Sequence, residues 1–166
     1  MRALAAVALA VAAFAGCGGD DASGSTPAVR IDDIGPAIAA VEAELGAGQQ
    51  FFEVNATAQL VNVFVAVDEG TAAVPYIYFD DELQPPAPAL AVESGFTFAA
   101  DAVDFDEDIV LDAVADELSE STIEGFAIEG GEGGIVRYLV STRSEQGGVL
   151  AVTVAPDGAV LEVDPQ

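Results

Sequence analysis

Several side chains on which most enzymes depend are missing from this chain of 166 residues. It has no His, no Lys and no Trp, and it has a single Cys. Without His there is no Ser-His-Asp or Cys-His machinery and no histidine metal site. Without Lys there is no P-loop, no Schiff base and no Ser-Lys dyad. The composition therefore predicts a protein that is not an enzyme and that carries no cofactor.

Positive charge is scarce as well. The chain has 29 Asp and Glu residues against four Arg, which gives a formal net charge of −25 at pH 7. Nucleic acids and anionic lipid head groups both require a basic patch on the protein that binds them. We therefore expect no nucleic-acid partner. The acid excess has two interpretations: adaptation to salt, which screens the repulsion, or an ordinary acidic exported protein.

The single cysteine, Cys17, ends an apolar run near the start of the chain. Arg2 and an unbroken stretch of small apolar residues precede it, which is the pattern of a secretory signal. The Ala-Gly-Cys ending resembles the lipobox of bacterial lipoproteins, with Phe14 where that family usually has Leu. This resemblance implies removal of residues 1–16 as a signal peptide and attachment of a diacylglyceryl group, with acyl chains such as palmitate, to the thiol of Cys17.

A second route of processing stays open. Ala13-Phe14-Ala15 is an A-x-A site, after which ordinary signal peptidase cuts and releases a secreted protein. An uncleaved membrane anchor is less favoured, because the apolar stretch runs only from residue 3 to residue 16. A helix that spans a membrane needs about 20 apolar residues.

Residues 17–29 are predicted to form a flexible tether. Gly, Ser and Asp dominate the segment after Cys17, which is typical of a linker with a mean reach of roughly 20 Å. We expect one domain over residues 30–166, because this length suits a single core. The lipid would hold this domain at the outer face of the cell membrane.

The first half of the domain is predicted to be a helix followed by three strands. Apolar residues recur three and four positions apart at Ile31, Ile34, Ile38, Val41 and Leu45, which places them on one helix face. Pro36 fits the first turn, and Gly46 fits the position after the last. The strand-like runs are Phe51–Asn55, Gln59–Val67 and Val74–Phe79, with a turn at 68–71 between the last two.

A proline cluster at 84–88 separates this half from a similar second half. A short strand is expected within 90–98, and Asp104 with Glu107 matches a capping box at the start of a second helix. The apolar face of that helix is predicted to carry Leu111, Val114 and Leu118. Four strand-like runs follow: Ile123–Ile128, Ile135–Thr142, Val149–Ala155 and Ala159–Val163. The turn before the last is Pro156-Asp157-Gly158.

The order helix then meander, repeated over about 30–84 and 89–164, resembles the PepSY and beta-lactamase-inhibitor-like folds. The closing Asp-Gly-Ala-Val-Leu-Glu-Val at 157–163 resembles the "DGxVlxv" ending of PepSY domains. The resemblance implies an α+β fold in which two helix-plus-antiparallel-meander halves form one compact domain. It also implies a protein that restrains an exported enzyme, although a fold alone does not fix a function.

Two residue groups are candidates for binding. Tyr76 and Tyr78 share one strand face, with Ile77 and Phe79 on the other, so an exposed tyrosine face would be a contact patch. The alternative is that the tyrosines cover one end of the core with their hydroxyls at its rim. Arg137, with Arg143 on the same face, is expected to form ion pairs with the acidic surface.

An acidic cluster and a glycine loop have simpler explanations. The cluster of Asp101, Asp104, Asp106, Glu107 and Asp108 offers alternating carboxylates to Ca²⁺ but lacks the Gly and Glu of an EF-hand loop, and a helix start explains it equally. We therefore assign no metal site. The loop at 130–134 lacks the spacing of a dinucleotide fingerprint and is predicted to be a hairpin turn.

These patterns together favour a lipid-anchored, non-enzymatic binding protein of the cell envelope. The expected partners are the membrane, through the lipid on Cys17, and an envelope protein that the domain binds, such as an exported enzyme that it inhibits. The alternatives are a structural or lipid-carrying envelope lipoprotein and a Ca²⁺-dependent surface module.

Overall fold

The computed structural model describes residues 28–166. The predicted signal peptide, the lipidation site Cys17 and the tether up to residue 27 lie outside the described residues. Within the described residues, one core cluster draws its buried side chains from Val29 through Val154, as is typical of a domain with its own hydrophobic core.

Two helices and ten strands make up this part of the chain. The helices are α1 (Ile34–Leu45) and α2 (Glu107–Glu117). The strands are β1 (Gln50–Thr57), β2 (Val61–Val67), β3 (Ala72–Phe79), β4 (Glu82–Leu83), β5 (Leu90–Ala91), β6 (Phe98–Ala99), β7 (Ser121–Gly130), β8 (Val136–Ser144), β9 (Val149–Val154) and β10 (Val160–Pro165). The predicted mixture of helices and an antiparallel sheet is confirmed.

All ten strands belong to one sheet, whose main path is β10-β9-β8-β7-β1-β2-β3-β4. Every strand pair is antiparallel. The central pair joins β1 to β7, with Val54 opposite Ile128 and Ala56 opposite Phe126. The short strands β5 and β6 lie off the path and pair with β3 and β1. Strands early and late in the sequence therefore meet in the middle of one continuous sheet.

One face of this sheet, which we call the inner face, supplies most of the core. Strand pairing aligns its buried side chains in two rows across six strands. The first row consists of Tyr78, Val61, Ala56, Phe126, Val140 and Val152. The second row consists of Tyr76, Val63, Val54, Ile128, Tyr138 and Val154. Each fully buried Val contributes roughly 1.5–3 kcal/mol through removal of apolar surface from water.

Both helices pack on the inner face. Ile34, Ile38 and Val41 of α1 and Val110 and Val114 of α2 belong to the same core cluster as the strand residues. The predicted stripe of the first helix is confirmed except at its end, because Leu45 in the last turn is exposed. The second helix also buries Val110, which the predicted set omitted.

The C-terminal end of α1 matches the sequence prediction, and the N-terminal end of α2 does not. Gly46 ends α1 with φ at +97°, and its N–H donates to the carbonyl of Glu42. The capping box predicted from Asp104 is wrong, because α2 begins at Glu107. Asp106 is the N-cap, and its carboxylate accepts from the N–H of Ile109 at 3.2 Å.

The connections also differ in detail from the sequence pattern. The single short strand expected within 90–98 is replaced by β5 and β6, two residues each, with an irregular segment between them. The predicted turn at 68–71 is present, and Asp68 and Glu69 adopt positive φ there. Among residues 28–166, no helix is long and apolar enough to cross a membrane.

The turn between β9 and β10 anchors the end of the sheet to α2. Gly158 has φ at +85° and is buried. A Cβ there would lie 2.9 Å from the carbonyl oxygen of Ile109 and 3.2 Å from the Cβ of Ala113. Gly147 has a similar φ of +89° but open space around it. The two glycines thus share a backbone conformation and differ in packing.

We expect Gly158→Ala to destabilise the domain more than Gly147→Ala does. Both changes incur the left-handed backbone cost, on the order of 1 kcal/mol, and only the first adds overpacking of roughly 1–3 kcal/mol. Urea unfolding of residues 28–166 measures both. Equal losses of stability would show that the turn is free to move away from α2.

Candidate binding surface on the open face of the sheet

The face opposite the helices, which we call the open face, is the first candidate site. Across β1, β2, β7, β8 and β9, the alternating side chains that point away from the core include Glu53, Asn55, Asn62, Phe64, Ala127, Glu129, Arg137, Leu139, Ser141, Ala151 and Thr153. Both helices are used to cover the inner face. A sheet face that keeps half-buried side chains without a covering layer can bind a partner.

A concavity of about 340 Å³ lies at the centre of the open face. Four neighbouring strands line it, so it spans about 14 Å at the usual strand spacing. Its floor carries the small side chains of Ala127, Ser141 and Ala151. Because small residues lie at its centre and longer ones around them, the surface is recessed there.

A chain of hydrogen bonds orders one side of this concavity. Asn62 donates its side-chain N–H to the amide oxygen of Asn55 at 2.8 Å, and Asn55 donates to a carboxylate oxygen of Glu53 at 2.6 Å. The register places Glu53 opposite Glu129 of β7. The two amides therefore hold one carboxylate beside another, in positions that favour a cationic group.

Two arginines of β8 lie on this face, and each is paired. Arg137 donates to Glu129 at 2.8 Å, and Arg143 binds Glu124 through two hydrogen bonds of 2.5 and 3.0 Å. The hydrogen bonds to Glu124, and then its charge, raise the pKa of Arg143. The predicted ion pairs of Arg137 and Arg143 are confirmed. The side chain of Arg137 is 56% exposed, so it stays accessible to a partner.

The open face is acidic overall. Its carboxylates include Glu53, Glu124 and Glu129, and β10 adds Glu162 and Asp164, which lie opposite Thr153 and Ala151. Against these five stand only two arginines. This excess of acid on a recessed face is complementary to a basic partner surface.

The two tyrosines of β3 do not belong to this surface, which corrects the contact patch predicted there. Tyr76 and Tyr78 are each only 7% exposed and point into the core. Ile77 and Phe79 lie on the opposite side of the strand and are 40% and 44% exposed. The alternation in the sequence identified which residues share a face, but it could not tell which face the helices cover.

The acidic cluster at 101–108 has local structural roles. Asp106 caps α2, and the backbone N–H and carbonyl of Asp104 both bond to the hydroxyl of Tyr138, at 3.0 and 3.1 Å. Burial, followed by the charges of Asp32, Asp108 and Asp106, raises the pKa of the Glu107 carboxyl. Within residues 28–166, no group of three or more His, Cys, Asp or Glu side chains is placed to hold a metal ion.

The glycine loop predicted to be a hairpin turn does connect β7 to β8. Gly130 ends β7, and a Cβ there would lie 2.2 Å from the carbonyl oxygen of Phe96. The segment before β6 therefore passes directly against the backbone of β7. Glycine is therefore required at position 130 because the backbone of Phe96 lies so close to it. A phosphate-binding role is not needed to explain this glycine.

Comparison with known proteins identifies one similar fold and no family. No family model matches the chain, and no curated protein matches it. The chain is similar to the crystal structure of a "putative lipoprotein" from Clostridium difficile 630, with 9% identity and a TM-score of 0.55. The match covers 78% of this chain and 90% of that one. At this identity the likeness establishes the fold alone.

We expect Tyr76→Ala to destabilise the domain by about 3 kcal/mol or more, as deletion of a buried aromatic ring does. Ile77→Ala, at the neighbouring exposed position, is expected to change the free energy of unfolding by about 0.5 kcal/mol or less. Urea unfolding with matched m-values checks both. A stable Tyr76→Ala domain would return the tyrosine to the list of contact residues.

Proposed function

We propose that this protein is an exported lipoprotein, anchored at the outer face of the cell membrane, whose domain binds a protein partner and does not catalyse a reaction. The lipobox-like ending at Cys17 supports the anchor, and the similar C. difficile protein bears the name of a lipoprotein. The absence of His and Lys from the sequence supports the non-enzymatic part.

The observation that carries the binding function is the uncovered, recessed and acidic open face. Protein partners are commonly recognised through a patch with half-buried apolar groups at its centre and charged groups at its rim. Here Leu139 and Ala127 lie near the concavity, and the ion pairs of Arg137 and Arg143 lie on the same face. We infer a basic protein as the partner, such as an exported enzyme that this domain inhibits.

We also propose that the domain is built from two repeats of one unit. Each helix is followed in sequence by four strands of the main sheet path. The path runs outward from the β1–β7 pair in sequence order on both sides, which supports an internal duplication related by an approximate two-fold axis at that pair.

The binding function is tested by changing the centre of the open face. Ser141 is exposed there, between Gly125 of β7 and Ala151 of β9. We expect Ser141→Arg to lower capture of the envelope partner by about tenfold or more, because a long cationic side chain fills the recess and repels a basic partner. Pull-down from envelope extract with residues 28–166 measures capture.

Ala115→Arg is the matched control, since Ala115 is exposed on α2 and lies on the other side of the molecule. It adds the same charge and is expected to leave capture unchanged. Equal capture by both variants would remove the open face as the partner site. Phospholipid that co-purifies in stoichiometric amount and is lost from neither variant would favour the lipid-carrying alternative.

The anchor is tested separately at Cys17. We expect Cys17→Ser to move the protein from the membrane fraction to the medium or to leave it unprocessed, because each buried CH₂ of the acyl chains contributes about 0.8 kcal/mol to anchoring. Ser25→Ala is a control in the same tether. Mass spectrometry of the wild-type protein that finds an unmodified N-terminus at Gly16 would contradict lipidation.

A further inference from the structure

A cleft lies on the helix side of the molecule, away from the open face. One wall is α1 with the turn before it, and the other is the segment that leads into α2. The cleft has a volume of about 420 Å³, and its lining residues are Ile31, Asp32, Ile34, Gly35, Ile38, Ala39, Glu42, Ala100, Val103, Phe105 and Glu107. This volume lies within the usual range of small-molecule sites, roughly 300–1,000 Å³.

The apolar walls of the cleft are held in place by the core. Ile31, Ile34 and Ile38 are buried, so only part of each side chain is left at the cleft floor. Phe105, on the other wall, packs against Phe126 and Tyr138 with ring centroids 4.9 and 5.3 Å apart. The site is thus formed before any ligand arrives, which reduces the entropy that binding costs.

The hydroxyl of Tyr138 fixes the segment that carries Phe105. It accepts from the backbone N–H of Asp104 and donates to the carbonyl of the same residue. Burial raises the pKa of this hydroxyl, so it keeps its proton and its donor role. The second wall is therefore tied to the sheet immediately beside the cleft.

All the charged residues that line this cleft are acidic. Glu42 accepts a hydrogen bond from the backbone N–H of Gly48 at 2.9 Å, so it is directed toward the end of α1. Asp32 precedes α1 and Glu107 begins α2, so each of the two opposite walls places a carboxylate in the cleft lining.

The surroundings of Glu107 disfavour its negative charge. Burial and the neighbouring carboxylates of Asp32, Asp108 and Asp106 raise the pKa of the Glu107 carboxyl. The nearest arginine in sequence, Arg30, forms an ion pair with Asp33 instead. A cation bound between Asp32 and Glu107 would offset the repulsion between their negative charges.

We propose that this cleft binds an organic cation with an alkyl chain, with the chain against the apolar walls and the ammonium group between Asp32 and Glu107. Charge selects this occupant. An anionic amphiphile would be repelled by the carboxylates of Asp32 and Glu107. The chain's own tether is also a poor occupant, because it carries Asp20 and Asp21. An ammonium donates up to three hydrogen bonds, which suits two carboxyl groups on opposite walls.

The proposal is independent of the partner surface, because the cleft and the open face lie on opposite sides of the sheet. It is tested with n-octylamine, which is protonated at about pH 7, against n-octanol and sodium octanoate as neutral and anionic probes of the same chain length. We expect calorimetric titration of residues 28–166 to give binding that is tighter for octylamine than for octanol by about tenfold or more, and none for octanoate.

Three variants sharpen the test. Asp32→Asn with Glu107→Gln keeps the shape of the pair and removes its charge, so the preference for octylamine over octanol should disappear. Ala39→Phe fills the cleft from an exposed position of α1 and should abolish binding. Ala43→Phe, one turn further along the same helix and outside the cleft, should bind as the wild type does.

The pH dependence of binding provides a readout that a purely apolar cleft would not give. Affinity for octylamine should fall as the pH is lowered and the Glu107 carboxyl gains its proton, whereas affinity for octanol should not change. Equal affinity for octylamine and octanol, or octylamine binding that survives Ala39→Phe, would overturn the proposal. Loss of partner capture by Ser141→Arg would not affect the proposed cation site, because Ser141 lies on the open face and not in the cleft.

Discussion

The pairing of β1 with β7 is the interaction on which the rest of this structure depends. Residues 53–57 and 125–129 come from distant parts of the chain, and their five-residue ladder joins two sets of strands into one sheet. Val54 and Ala56 meet Ile128 and Phe126 there, all fully or almost fully buried. Without this ladder each set would have a hydrophobic edge strand exposed to water, which favours aggregation.

This arrangement also decides which face of the sheet is left uncovered. Because the central strands direct their Val, Ile and Phe side chains to one face, both helices are needed to cover that face. The other face keeps the polar alternates of the same strands, such as Asn55 and Ser141. The recessed acidic surface is therefore a consequence of strand alternation across a sheet that is covered on one side. The cleft arises similarly, because α1 and the segment before α2 cover the core without filling the space between them.

Periodicity in the sequence predicted much of the fold, but it did not predict the residues of the candidate binding surface. The stripe of α1, the alternation of β2 and the Asp157-Gly158 turn were visible because each depends on neighbours in sequence. The sequence left open whether Tyr76 and Tyr78 form a contact patch or cover the core, because period-two alternation does not reveal which face a helix will cover. The bond from Asn62 to Asn55 depends on the register of β2 with β1, and the placing of Asp32 and Glu107 in one cleft depends on packing between distant segments. Local sequence carries no signal for either.

The point at which the described chain enters the fold has a mechanical consequence. Val29 is buried, and the N–H of Arg30 donates to the carbonyl of Thr57 at the end of β1, in the middle of the sheet. A pull through residue 28 is therefore delivered to a central strand that is bonded on both sides. Strands at the rim, such as β10, are not loaded first and are not peeled away one bond at a time. A domain loaded in this way can resist tension that enters at residue 28 while its outer strands stay paired.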